Sequence, residues 1–287
     1  MKKRFVTLTI LSFCSLALAQ DVSVPDVAKP QDPAAIKKLE TVQSAQRSPF
    51  SDPTCSYNFN SGAVDSGLRY CVTANGNIPQ IETPELHQNV GLQGEGYGLC
   101  DLSTGIVYND FAARGDTGNW GPPTLLSQTA TAVKIARTST DGAWTLTQTI
   151  TQVPGNSPSI RIVMALKNNT AQERTVWLIR YVDADIDGLF SNDFDFTMGG
   201  ATGFNSGTLP NGSDHAGGLV LENATNQPFV HQAFAQETFL PPPFPCNPLA
   251  TVPPGPLVGF DGSLVMAYQP SVNAHSTVLT TMIYRGW

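Results

Sequence analysis

Apolar and polar residues alternate along most of this chain, a period-two pattern that predicts β-strands rather than helices. The clearest stretch covers residues 130–187. Within it Trp144, Leu146 and Ile150 share one face of a predicted strand, and threonines occupy the other face. The Asp-Gly dipeptide at 141–142 precedes this strand and is typical of a tight hairpin turn. The pattern therefore indicates antiparallel strands with one buried face.

Two later segments complete this prediction. Thr175–Asp187 carries apolar residues on both faces, which indicates an inner strand that is covered on both sides. Residues 240–256 contain eight prolines and cannot form a central strand, because proline lacks the N–H that a sheet ladder needs. We therefore expect an all-β fold, a single large antiparallel β-sandwich over residues 55–287.

The first 54 residues differ from this pattern. Residues 1–19 combine a positive start, an apolar run and an Ala-Leu-Ala cleavage site, which predicts a signal peptide and a secreted protein, extracellular or periplasmic. Residues 20–54 form a proline-rich leader. A short N-terminal helix is predicted at about 33–45, since Asp32 is a good N-cap and Pro33 suits the first helical position.

Charge excludes some classes of partner. Loss of residues 1–19 removes three of 16 basic residues and leaves 13 against 23 acidic ones, a net charge of −10. Nucleic-acid binding needs a basic surface, so no nucleic-acid partner is expected. Beyond the signal peptide no apolar run is long enough to cross a bilayer, so no transmembrane segment is expected.

Four cysteines remain after cleavage, and in an exported protein this number predicts two disulfides with three possible pairings. We expect Cys71–Cys100, because each residue lies beside a predicted strand. The second pair is then Cys55–Cys246, joining two irregular segments. Because Cys246 lies within the proline-rich stretch, its disulfide should hold that stretch against the body of the domain.

Residues 140–187 carry a family resemblance. A hairpin, "TDGAWTLTQTITQ", leads to an alternating strand and turn, "SIRIVMALKNNT", and then to the apolar strand "TVWLIRYVDAD". This succession resembles the central hairpins of galactose-mutarotase-like supersandwich domains of secreted carbohydrate-active proteins. The resemblance implies a supersandwich-like fold and a role connected with carbohydrate. It includes no catalytic motif.

The sharpest chemical motif is the run from Asp183 to Gly188, which matches the Asp-x-Asp-x-Asp-Gly start of calcium loops. Alternate carboxylates can converge on one hard cation. Phe194 stands where an EF-hand would have its final Glu, but acidic residues flank it. The predicted calcium ligands are therefore Asp183, Asp185, Asp187, Asp193 and Asp195. The alternative is a strand end whose Asp side chains point into water.

Other residues suggest a ligand site. The glycine-rich segment 94–98 either presents Glu95 and Tyr97 to a ligand or is a simple β-turn. Trp120, in a predicted loop, is the best candidate for stacking on a sugar ring. Glycosidase chemistry would need two facing carboxylates, and the candidates are Glu82, Glu85, Glu95, Asp101, Asp110 and Asp116.

These features favour a secreted β-sandwich binding module, directed to carbohydrate or a cell-surface polymer, with calcium as the candidate stabilising ion. A carbohydrate-active enzyme of the lyase, epimerase or glycosidase type is the first alternative. A structural envelope protein without a small ligand is the second.

Overall fold

The fold is given by a computed structural model that describes residues 55–61, 67–83, 87–91, 94–111, 117–155, 158–189, 191–205, 217–237 and 245–286. The predicted signal peptide, leader and short helix lie outside the described residues. No helix among the described residues is long and apolar enough to cross a membrane.

Eighteen strands form nearly all of the regular structure in the described ranges, and they have the following bounds: β1 Cys55–Asn60, β2 Arg69–Thr73, β3 Gln80–Glu82, β4 Glu95–Asp101, β5 Ile106–Asp110, β6 Thr124–Gln128, β7 Ala132–Thr138, β8 Trp144–Val153, β9 Ser159–Asn168, β10 Arg174–Ala184, β11 Asn192–Thr197, β12 Gly200–Asn205, β13 Gly217–Asn223, β14 Val230–Glu237, β15 Leu257–Phe260, β16 Gly262–Gln269, β17 Ser271–Val272 and β18 Thr277–Gly286. Two short 3-10 helices, Ile186–Gly188 and Pro248–Thr251, complete the set.

The strands form two large antiparallel sheets and one small one, which confirms the predicted all-β sandwich. The smaller of the two large sheets has the order β14-β16-β10-β4-β5, with β17 paired to β10. The other has nine strands in the order β15-β11-β12-β13-β18-β9-β8-β7-β6. Strands β1, β2 and β3 form the third sheet. The main hydrophobic core lies between the two large sheets.

Strand β10 is covered on both faces, as its sequence predicts. Val176, Leu178 and Val182 belong to the core between the sheets. Alternate residues such as Trp177 and Tyr181 belong to a second apolar cluster on the outer face of the smaller sheet. The proline-rich segment 245–252, which we call the strap, packs against this second cluster through Cys246 and Val252.

Glycines in β4 make room for these contacts. A Cβ atom at Gly98 would lie 2.9 Å from Cγ of Pro245 in the strap. A Cβ atom at Gly96 would lie only 2.0 Å from the backbone carbonyl oxygen of Asp110. Neither position can carry a larger side chain without displacement of its neighbours. The glycine-rich segment is therefore part of a central strand, and its interpretation as a turn is wrong.

Both predicted disulfide pairings are wrong, although the prediction of two disulfides is right. The bonds are Cys55–Cys71 and Cys100–Cys246, with Cα–Cα distances of 5.6 and 5.0 Å. Cys71 lies in β2, whose neighbour β1 begins at Cys55. Cys100 lies in β4, opposite Trp177 of the neighbouring strand β10. Both residues are on the outer face of their sheet, where the strap lies. The disulfide does hold the strap to the body, as expected of Cys246.

Candidate functional site

Three aspartates converge where β10 ends and β16 begins. Asp183 is the penultimate residue of β10, Asp185 follows that strand, and Asp261 directly precedes β16. One carboxylate oxygen from each lies within 4.8 Å of the other two. They meet because β10 and β16 pair antiparallel, with Asp183 opposite Ser263. Asp183 and Asp185 are only 2 % and 3 % exposed.

This geometry can hold a metal ion. Calcium binds oxygen ligands at about 2.3–2.6 Å, so two ligands of one ion lie at most roughly 5 Å apart. The 4.8 Å limit for the three oxygens meets that condition. A set of three carboxylates suits a hard cation, whereas structural zinc sites use cysteine and histidine. The backbone also packs closely here, because a Cβ atom at Gly91 would lie 2.1 Å from Oδ2 of Asp183.

The other predicted metal ligands lie outside this group. Asp187 has a left-handed backbone (φ 58°), and its Oδ1 lies 2.7 Å from Nδ1 of His87. Asp193 accepts a hydrogen bond from the N–H of Gly259 at 2.8 Å. Asp195 accepts one from the N–H of Phe196. The structure thus brings together two of the five predicted residues.

Asp261 is the ligand candidate that the sequence analysis missed. It is remote from the Asp183–Gly188 motif along the chain, and only the pairing of β10 with β16 brings it near. The available signal was the Asp-Gly dipeptide at 261–262, which precedes the apolar run of residues 264–268. Nothing in that dipeptide identifies the strand it will pair with.

Glu95 is not presented to a ligand, contrary to one reading of the sequence. It is fully buried in β4 and forms an ion pair with Arg180, which is also fully buried. Its carboxylate also accepts hydrogen bonds from the N–H of Ile78 and the hydroxyl of Tyr284, at 2.7 and 3.0 Å. Burial alone lowers the pKa of Arg180, but the interactions with Glu95 and Tyr284 together raise that pKa above its ordinary value. The pair joins the neighbouring strands β4 and β10 of one sheet, and the hydrogen bond from Tyr284 of β18 connects it to the nine-stranded sheet.

Tyr97 and Trp120 are buried as well. The Tyr97 hydroxyl donates to the carbonyl of Asn75 at 2.9 Å and accepts from Arg137 at 3.1 Å. Burial raises the pKa of Tyr97. Trp120 is only 4 % exposed and packs against Tyr97 and Tyr108, with ring centroids 6.0 and 5.6 Å away. The prediction of Trp120 as an exposed platform is therefore wrong.

Each described candidate for a catalytic carboxylate forms an ion pair with an arginine. Asp110 pairs with Arg137 at 2.5 Å, and Asp101 pairs with Arg174. The remaining described candidates, Glu82 and Glu95, have arginine partners as well, whereas Glu85 and Asp116 lie outside the described residues. All four described candidates are therefore engaged in ion pairs.

Comparison with known proteins bears on the fold. No family model matches this chain, and no curated protein matches it. A solved bacterial glucoamylase in complex with acarbose superposes with a TM-score of 0.51 at 11 % identity, over 84 % of this chain and 34 % of that chain. The chain therefore spans about a third of the length of that enzyme.

Two other solved structures are similar at lower scores. A galactose mutarotase-like protein from Lactobacillus casei gives a TM-score of 0.44 at 8 % identity, over 80 % of this chain and 100 % of that chain. A 4-alpha-glucanotransferase from Thermococcus litoralis gives a TM-score of 0.41 at 7 % identity, over 87 % of this chain and 41 % of that chain. The expected likeness to carbohydrate-active proteins is thus confirmed at the level of the fold by the glucoamylase.

Proposed function

We propose that this chain is an exported carbohydrate-binding module that is stabilised by calcium. The fold likeness to a glucoamylase in complex with acarbose supports the connection with carbohydrate. Two disulfides support export, because such bonds persist in oxidising compartments.

The observation that favours binding over catalysis is the use of the candidate acids. Glu95, Asp101 and Asp110 are buried and ion-paired with arginines, so they serve the fold rather than a reaction. The clustered oxygens of Asp183, Asp185 and Asp261, called the Asp183 group, lie within 4.8 Å of one another. The two carboxyl groups of glycosidases are farther apart, at roughly 5–9.5 Å. The shorter spacing of the Asp183 group suits one shared cation instead.

Calcium at this group would stabilise the end of β10. Asp183, Asp185 and Asp261 would provide three of its oxygen ligands, and the ion would offset the repulsion between their charges. Because the three ligands come from two segments that meet only on folding, calcium should bind the native state and not the unfolded chain.

A glycan array combined with a reducing-sugar assay tests the carbohydrate function. We expect retention on at least one polysaccharide and no release of reducing ends. Release of reducing ends would indicate the enzyme alternative. Failure to bind any glycan would favour the structural envelope protein.

Thermal unfolding in EDTA and in millimolar calcium tests the metal. At about 100 times its dissociation constant, calcium should stabilise the fold by about 2.7 kcal/mol. Asp185→Asn should lose this increment. Asp195→Asn removes the same charge from an exposed residue outside the group and should keep it. Identical wild-type melting temperatures in the two buffers would refute the calcium site.

A further inference from the structure

The outer face of the nine-stranded sheet is exposed, and its charge is unevenly distributed. Strands β6, β7, β8, β9 and β18 are adjacent in this sheet, and their sequences contain no Asp or Glu. The acidic residues of the sheet lie on its other half, at Asp193, Asp195 and Glu222. Although the chain has a net charge of −7, one half of this sheet face is cationic.

Three cations on this half have no ion-pair partner among the described residues, whereas Arg137 and Arg285 of the same strands pair with Asp110 and Glu222. Lys134, Arg161 and Lys167 are exposed, and no ion pair to a described residue involves them. The remaining Lys and Arg residues of the described ranges each pair with a carboxylate: Arg69, Arg137, Arg174, Arg180 and Arg285.

The strand register places the three cations on one face. Lys134 is opposite Thr149, and Thr149 is opposite Val163 in β9. Arg161 and Lys167 lie two and four residues from Val163, so all three side chains project to the same side. With strands about 4.8 Å apart and about 3.3 Å per residue, their Cα atoms are separated by roughly 12–20 Å.

The sheet surface between the three cations carries only small side chains. The outward residues of β8 are Thr145, Thr147, Thr149 and Thr151, all partly exposed. In β9 the outward residues between Arg161 and Lys167 are Val163 and Ala165. Threonine hydroxyls donate and accept hydrogen bonds, and the small apolar side chains allow close approach of a flat ligand.

We propose that this cationic face, defined by Lys134, Arg161 and Lys167, binds an acidic polysaccharide, one carrying carboxylate or sulfate groups along an extended chain. The inference rests on the proposed carbohydrate function and names the class of carbohydrate. Widely spaced cations among hydroxyls match anionic groups that repeat along a polymer of hydroxylated rings. An anionic lipid surface fits less well, since such surfaces attract tight basic clusters of about 4–8 residues.

Dextran sulfate and dextran form a suitable pair of probes, because they share a backbone and differ in charge. Binding is measured by isothermal titration calorimetry at about 0.1 M salt, where charges more than roughly 10 Å apart are largely screened. The test variant carries Lys134→Gln, Arg161→Gln and Lys167→Gln. The control carries Met198→Glu, Ala250→Glu and Val258→Glu, which changes the net charge equally at exposed residues outside the face. Circular dichroism melts establish that both fold.

We expect the wild type to bind dextran sulfate and not dextran. The test variant should bind about ten-fold more weakly or worse, since each surface ionic contact changes affinity by a factor of roughly 1.4–5. The control should stay near the wild type. Equal weakening in both variants would mean unspecific attraction and would overturn the proposal.

Two further outcomes separate this inference from the proposed function. Binding to a neutral glycan on the array, with no effect of the test variant, would overturn the acidic class and leave the carbohydrate function standing. Binding to phosphatidylglycerol vesicles, with no binding to any polysaccharide, would overturn both and indicate a membrane surface as the partner.

Discussion

Replacement of Glu95 by Gln should destabilise the fold strongly without altering a ligand site. The substitution preserves the shape of the side chain but leaves the Arg180 guanidinium charged and fully buried between the sheets. Arg180 would keep its hydrogen bonds to Oε1 of Gln148 at 2.6 Å and to the carbonyl of Gly76 at 3.0 Å. These neutral acceptors cannot compensate the charge.

The magnitude follows from this environment. Two unit charges about 4 Å apart attract by about 4 kcal/mol at an effective dielectric constant of 20. Removal of one partner of a buried pair destabilises proteins by about 3–5 kcal/mol. We therefore expect the free energy of unfolding to fall by about 3–5 kcal/mol, which corresponds to a melting temperature lower by roughly 6–20 °C for a domain of this size.

Urea denaturation followed by tryptophan fluorescence measures this change. The matched control is Glu222→Gln, which breaks the half-exposed pair with Arg285 and should change the free energy of unfolding by less than about 1 kcal/mol. A second variant, Glu95→Leu with Arg180→Met, removes both charges and should recover much of the lost stability. The reasoning is refuted if Glu95→Gln and the control lose equal stability with an unchanged m-value.

Three further predictions concern other features. Gly96→Ala should destabilise by about 1–3 kcal/mol, because its Cβ would meet backbone, whereas Gly199→Ala, with open space around it, should be nearly neutral in the same urea titration. Removal of the Cys100–Cys246 bond by serine substitutions should destabilise by about 5 kcal/mol in the chain-entropy model, given its sequence separation of 146; non-reducing peptide mapping that finds Cys71 joined to Cys100 would contradict the pairing. Burial would raise the pKa of Asp141, but hydrogen bonds from Ser139, Tyr108 and the Ala143 N–H lower that pKa below 3.8. The ionised Asp141 carboxylate therefore stabilises the fold above pH 3.8, and this stabilisation is lost as the pH falls through the lower pKa of the folded state. Asp141→Asn should reduce this acid sensitivity in calorimetric melts, and an unchanged pH profile would contradict the assignment.

The sequence predicted the strands well, because alternation depends only on which face of each strand is buried. The threonine row of β8 and the two-sided burial of β10 both follow from that local rule. The family resemblance over residues 140–187 was also sufficient for the fold class. The helix predicted at 33–45 stays a prediction.

The candidate site was less predictable, because it depends on which strands are neighbours. Asp261 joins Asp183 through the pairing of β16 with β10, and Cys100 meets Cys246 through the position of the strap. Trp120 and Glu95 have sequence surroundings typical of a loop and a turn, yet both are buried by strands remote in sequence. Local composition carries no information about such long-range partners.

The position of β18 in its sheet has a consequence for how the molecule folds. This strand follows the other seventeen described strands in sequence, yet it lies between β13 and β9 in the nine-stranded sheet. Until it is available, strands β6–β9 and strands β11–β13 remain separate, each with an open edge facing the gap. Folding during synthesis therefore cannot complete the large sheet from the N-terminal side, and closure requires contacts between distant parts of the chain, which are slow to form.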